Sequence, residues 1–216
     1  LNTLAPSPRV TQATTLVDRI SPLARASGDG VAKAIAIAAS ADIHNGTLAP
    51  IELLICGEYS LLGGQKDRAI ASIKKAIEQG GKEPYYHKSL GWALLSAGNA
   101  AEAKKAFQTA IKGMGDWSDK NAVAANIDGW TAAYFLDLVS PQEYAIRWQN
   151  ETYIAGLPWF YIGQRMEIEG NKDHAIKAYR KSIELGKHNN AHYISNWAAY
   201  RVNVLTKASS GPTAQP

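Results

Sequence analysis

Apolar positions recur every three or four residues along most of this chain, which is the spacing of an amphipathic α-helix. The pattern is interrupted by glycine-containing turn signals at residues 27–30, 63–66, 97–100 and 169–172. A glycine or asparagine at such a break favours the end of a helix, because these residues adopt the left-handed conformation at little cost. The alternation of polar and apolar residues that is typical of strands is almost absent from the sequence. The pattern therefore predicts an all-α fold.

The helical pattern is repeated along the chain. Residues 50–83 align without a gap on residues 84–117, an offset of 34 residues (84 − 50), and a third copy covers residues 156–189. Each copy reads as two amphipathic helices joined by one of the glycine turns. A repeat of this length predicts helical hairpins that stack side by side, since one hairpin cannot bury its apolar face alone.

One glycine in each copy lies inside the first helix rather than at its end. In the second copy it is Gly91, and a glycine in a helix interior costs about 1 kcal/mol relative to alanine. We interpret Gly91 as a packing glycine that lets two antiparallel helices approach closely. On this interpretation it faces Ala103 on the second helix, and Phe107 fills the wider space one turn further on.

The segments outside the three copies are also helical but do not follow the repeat. Ser140, Pro141 and Glu143 predict a helix start with a capping box, because serine and glutamate in this spacing satisfy two free backbone N–H groups. The predicted organisation is a flexible N-terminus (1–10), a degenerate hairpin (11–45), repeats 50–83 and 84–117, a divergent hairpin (119–153), repeat 156–189, a capping helix (190–207) and a disordered tail (208–216).

The repeat resembles the tetratricopeptide (TPR) family, whose unit also has 34 residues. The family's late proline is missing from all three copies. The resemblance implies one right-handed α-solenoid of helical hairpins with a C-terminal capping helix. The matching residues are Leu90, Gly91, Leu94, Ala103, Phe107 and Ala110 in the second copy, Trp159, Ile162, Gly163, Met166, Ala175 and Tyr179 in the third, and Cys56, Gly57, Ala69, Ile73 and Ala76 in the first.

The TPR resemblance also implies where a partner would bind. In that family the first helix of each repeat lines a concave groove, and Tyr85, Lys88 and Trp92 share one such face at i, i+3 and i+7. Exposed aromatic residues are strong interface anchors, although Trp92 packed inside the helical array is an equal alternative. A second aromatic stripe on the last helix reads as a packing face or as a partner or dimer contact. The expected partner-binding residues are Tyr85, Lys88, Trp92, Glu58, Phe160 and Gln164.

Composition and motifs favour a binding protein over an enzyme. The net charge of +4 comes from 23 basic and 19 acidic residues that are interspersed, which does not favour nucleic acid as a partner. No segment is long and apolar enough to span a membrane. The single cysteine, Cys56, is expected to be a small buried side chain. His174, His188 and His192 are read as solvated or capping residues, so we expect no metal, no cofactor and no catalytic residue.

A narrower resemblance concerns the segment from Pro158 onward, residues 158–202. They are similar to the last repeat of bacterial envelope TPR proteins of the NlpI kind, in the Phe160–Gly163 start, the Gly170–Asn171 turn and the Asn190–Tyr193 ending. This resemblance implies a periplasmic or envelope-associated adaptor that forms homodimers, with the cytoplasm as the alternative location. We therefore hypothesise a non-catalytic scaffold for a partner protein. The alternative function is a glycan-binding envelope protein that uses surface tryptophan and tyrosine.

Overall fold

The computed structural model describes most of the chain in five stretches, residues 14–26, 28–113, 127–151, 154–186 and 192–208. The predicted flexible N-terminus, the tail beyond residue 208 and His188 lie outside these stretches. Within them the protein is all-α, with no strand. The helices are α1 (Leu16–Arg25), α2 (Gly30–Ser40), α3 (Pro50–Leu62), α4 (Lys66–Glu78), α5 (Pro84–Ser96), α6 (Ala100–Lys112), α7 (Ile127–Phe135), α8 (Pro141–Trp148), α9 (Leu157–Ile168), α10 (Lys172–Gly186) and α11 (His192–Lys207).

The 34-residue repeat appears directly in the helix boundaries. Helices α3 and α5 both begin at a proline and have 13 residues each, and α4 and α6 also have 13 residues each. The turns between paired helices place Gly64, Gly98 and Gly170 at φ angles of 80°, 87° and 79°. A backbone N–H just beyond each glycine returns to the preceding helix, as Asn99 N does to Leu94 O at 2.9 Å. The predicted glycine turns are confirmed.

The packing role of Gly91 is confirmed, and its nearest neighbour is Phe107. A Cβ atom on Gly91 would lie 2.7 Å from the ring of Phe107, which was predicted one turn further on. The large side chain of the second helix lies directly over the glycine, and a methyl group there would overlap its ring.

The capping box that opens α8 is also confirmed. Ser140 N donates to Glu143 Oε2 at 2.7 Å, and Glu143 N donates to Ser140 Oγ at 3.1 Å. Pro141 occupies the first helical position, where its missing N–H costs nothing.

Consecutive helices pack against one another, and the result is an all-α, repeat-type, solenoid-like fold with one continuous core. The last helix does more than the predicted cap. Helix α11 packs on α10, and it also contacts α1 and α2 at the other end of the chain. Asn196 Nδ2 donates to Ala24 O at 2.9 Å across this contact. Helix α11 therefore closes the concave side of the array. None of the described helices is long and apolar enough to cross a membrane.

Candidate functional site

The concave side of the array is filled by large side chains from α5, α9 and α11. Trp92 and Phe160 are fully buried, with perpendicular rings whose centroids are 6.0 Å apart. Trp92 also meets Tyr161 at 5.6 Å and donates from Nε1 to Gln164 Oε1 at 3.3 Å. Trp197 of α11 reaches Phe160 at 5.8 Å. Two of the three aromatic residues that the sequence places in a groove, Trp92 and Phe160, are therefore part of the core.

Lys88 lies at the centre of this filled face and is only 6% exposed. Its Nζ donates to Tyr161 Oη at 2.9 Å and pairs with Asp128 Oδ1 at 3.0 Å. Burial by itself would lower the pKa of Lys88, but Tyr161, Asp128 and Glu58 outweigh it and hold this pKa well above its ordinary value. The charged lysine thereby ties α5 to α7 and α9.

Two of the six predicted partner-binding residues keep contact with solvent. Glu58 is half-buried, and its Oε1 accepts a hydrogen bond from Ser89 Oγ at 2.7 Å. Tyr85 is half-buried beside Tyr86, at a ring distance of 4.5 Å.

The expectation that all six line an open groove is wrong. Four of them are buried because helices α9 and α11 occupy the space that a partner peptide would need. These four are Lys88, Trp92, Phe160 and Gln164.

Two clefts on this face are lined by residues of the described stretches. The first, which we call the Glu58 cleft, lies between α1, α3 and α11 and has a volume of about 190 Å³. Its walls include Glu58, Tyr59, Trp197 and Tyr193, and Arg25 also lines it. Tyr193 is 41% exposed, and its ring stands edge-on to Trp197 at 5.5 Å. Trp197 Nε1 in turn donates to Tyr59 Oη at 3.1 Å.

The second, the Gln164 cleft, lies at the ends of α3, α5 and α9 and has a volume of about 260 Å³. Arg201 of α11 pairs here with Glu167, and its Nη1 donates to Leu62 O at 3.0 Å. Tyr179 Oη donates to the same Glu167 carboxylate at 2.8 Å. Burial disfavours the charge on Arg201, but Glu167 outweighs this and raises the arginine pKa. The Arg201 bonds fasten α11 to α9 and α3, and the Tyr179 bond fastens α10 to α9.

The described residues contain no cluster that could hold a metal ion. His174 Nδ1 lies 2.7 Å from Asn171 Oδ1, which is the arrangement of a turn contact. Cys56 is buried, as predicted, and burial raises the pKa of its thiol to about 11. A thiol with so high a pKa is a poor nucleophile at neutral pH.

Sequence reasoning missed two charged residues of this face, Asp128 and Arg201. Arg201 had a usable signal, since it follows Trp197 at i+4 and so shares the apolar side of α11. Asp128 had no local signal, because its partner Lys88 belongs to another repeat.

No protein-family model matches this chain, and no curated protein matches it. The resemblances to TPR proteins and to their envelope members therefore stay predictions from the residues quoted above.

Proposed function

We propose that this protein is a non-catalytic adaptor that binds a partner protein at the Glu58 cleft. The observation that supports this proposal is Tyr193, a large aromatic residue that is 41% exposed at the edge of a concave, aromatic-walled surface. Tyrosine and tryptophan are enriched at the energetic centres of interfaces, because they bury a large area at low cost in side-chain entropy. The carboxylate of Glu58 beside these rings adds a polar group that can orient a partner.

Affinity capture from a native extract, with bound proteins identified by mass spectrometry, tests this proposal. The wild-type chain is compared with Tyr193→Ala. Replacement of Trp92 or Lys88 is unsuitable, because both are buried and their loss would disturb the core. Ile146→Ala is the matched control, since Ile146 is an apolar residue that is 60% exposed on α8, a helix that contributes nothing to the cleft.

We expect a partner that is captured by the wild type and by Ile146→Ala and lost with Tyr193→Ala. A partner retained by all three chains would place the interface elsewhere and contradict the proposed site. The captured partner could also be a second copy of this chain. In that case the wild type sediments as a dimer and Tyr193→Ala sediments as a monomer.

The glycan-binding alternative is favoured by the same exposed ring. Of the tryptophans in the described stretches, Trp92, Trp148 and Trp197 are buried and Trp130 and Trp159 are half-buried. Tyr193 would therefore be the main stacking surface of such a site. Calorimetric titration with soluble cell-wall fragments separates the two functions, because heat that disappears with Tyr193→Ala in the absence of any protein partner would favour the glycan.

The proposal extends to a bacterial periplasmic or envelope location, which is supported by the resemblance of residues 158–202 to envelope TPR proteins. Fractionation of the native host with detection by antibody tests the location. Recovery with the cytoplasmic markers would contradict it.

A further inference from the structure

The Glu58 carboxylate has an uncommon electrostatic position. It is half-buried and accepts one hydrogen bond from Ser89, but among the described residues it forms no ion pair. The nearby cation, Lys88, interacts with the charge of Glu58 at longer range, but its ion pair and its hydrogen bond go to Asp128 and Tyr161. A half-buried carboxylate without a direct ion pair can accept a charged hydrogen bond from a ligand that supplies a cation.

The walls around this carboxylate are aromatic. Tyr59 and Tyr193 both stand nearly perpendicular to Trp197, with ring centroids 5.4 and 5.5 Å from it. Aromatic faces close to a carboxylate favour an organic cation, because the negative face of the ring attracts positive charge and the rings bury the aliphatic stem.

The size of the cleft limits what can enter it. A volume of about 190 Å³ between α1, α3 and α11 suits one extended side chain and excludes a whole helix. From the carboxylate, the rings and this volume, we infer that the Glu58 cleft recognises a single lysine or arginine side chain of the partner. The inference rests on the proposed adaptor function and names the chemistry of its ligand.

Arg25 supplies a second, opposing feature of the cleft. It lies on α1, lines the cleft, and is exposed with no ion pair to another described residue. A positive charge at this place repels an isolated cation, although the solvent screens much of the effect. The preferred partner segment therefore carries an acidic residue next to its lysine or arginine, so that Glu58 and Arg25 are both neutralised.

The test uses small blocked amino acids as probes, titrated into the whole chain and followed by the NMR signal of the Trp197 indole N–H. The probes are Nα-acetyl-lysine methylamide, the arginine analogue, and the norleucine analogue as the uncharged match in length. The variants are Glu58→Gln, which keeps an oxygen acceptor for Ser89, and Arg25→Gln. Each variant is folded if, before any probe is added, its Trp197 signal and its thermal unfolding curve match those of the wild type.

We expect the lysine and arginine probes to shift the Trp197 signal and norleucine to leave it unchanged. Glu58→Gln should lower the affinity for the cationic probes about tenfold, because the probe loses a charged hydrogen-bond partner. Arg25→Gln should raise the affinity for these probes by roughly two- to fivefold, since an exposed charge contributes little. A merely structural effect would not weaken the binding of the cationic probes in one variant and strengthen it in the other.

Equal binding of norleucine and lysine, or an unchanged affinity in Glu58→Gln, would overturn the inference. Its failure is distinct from that of the adaptor proposal. A partner that is lost with Tyr193→Ala but retained by Glu58→Gln supports the adaptor function and refutes the recognition of a lysine or arginine side chain by Glu58. Cationic probes that bind as expected, with capture unaffected by Tyr193→Ala, refute the adaptor at this cleft and leave its charge preference standing.

Discussion

A glycine lies against a large side chain of the partner helix at the same position of each repeat. The added Cβ atom would come within 2.4 to 2.7 Å of that side chain, which is closer than real contacts allow. The local cost of glycine in a helix is therefore offset by close helix packing. The three pairs are Gly57 with Ile73, Gly91 with Phe107, and Gly163 with Tyr179.

Gly91→Ala tests this packing. Alanine gains about 1 kcal/mol of helix propensity, but its methyl group forces Phe107, which is 1% exposed and stacked on Phe135 at 5.0 Å, out of place. Overpacking of this kind costs about 1–3 kcal/mol. We expect the free energy of unfolding in urea to fall by the difference between this cost and the propensity gain, about 0–2 kcal/mol.

The double variant Gly91→Ala, Phe107→Leu supplies the decisive comparison. If the clash is the cause, the smaller leucine absorbs the methyl group and the two changes are strongly non-additive. Lys104→Ala, an exposed site on α6, is the control and should stay within about 0.5 kcal/mol of the wild type. Additive losses in the double variant would contradict the packing account.

Buried titratable groups predict a loss of stability at alkaline pH. Burial raises the pKa of Tyr144, Tyr161 and Tyr179 above the ordinary range, and the pKa of Lys88 is also well above its ordinary value. In the unfolded chain these groups lose their protons near pH 10, whereas the folded chain retains them. Stability is therefore complete below pH 10 and falls as the pH rises, by about 1.4 kcal/mol per pH unit for each such group.

Urea titrations at pH 8 to 12 measure this slope. Tyr144→Phe is the informative variant, because it removes one titrating hydroxyl, bonded to Thr131 at 2.6 Å, and leaves the ring in place. Its slope above pH 10 should be shallower than that of the wild type by the contribution of one group. Identical slopes would show that Tyr144 does not retain its proton as expected.

At the scale of the helix, the sequence was most informative where the signals are local. The starts of α3 and α5 at prolines and the glycine turns after them are each specified within a few residues. The same is true of the capping box at Ser140. These features depend on backbone geometry and on nearby hydrogen bonds, and a repeat confirms them by showing them more than once.

The candidate site could be predicted only in part, for a physical reason. Helical periodicity shows which side of α5 is apolar, but it does not show whether that side meets solvent or another helix. Trp92 was assigned to the correct face, but its environment was left open, since the bond from its Nε1 reaches Gln164, 72 residues away. Contacts of such long range carry no signal in a single sequence.

At the scale of the whole molecule, α11 makes this array different from an open solenoid. In an open array each repeat contacts only its neighbours, and the ends can unfold independently. Here Trp197 joins Tyr59 over a separation of 138 residues, and Arg201 joins Leu62 over 139 residues. The two ends of the chain are therefore coupled through one helix.

Trp197→Ala tests the coupling. The residue is 5% exposed and packs on Tyr59, Phe160 and Tyr193, so its truncation should cost about 3–5 kcal/mol. Because α11 connects to α1 and α2, native-state hydrogen exchange should show that the amides of these two helices lose protection together with those of α11.

Trp148→Ala is the matched comparison, since Trp148 is equally buried at 4% exposed but lies on α8, which contacts α7 and α9. It should lower protection in α7 to α9 and leave α1 and α2 close to the wild type. If Trp197→Ala also spares α1 and α2, the ends are independent and α11 is only a cap. If both variants lower protection everywhere by the same amount, the molecule unfolds as one unit, and the closing helix is one of many equal contributors.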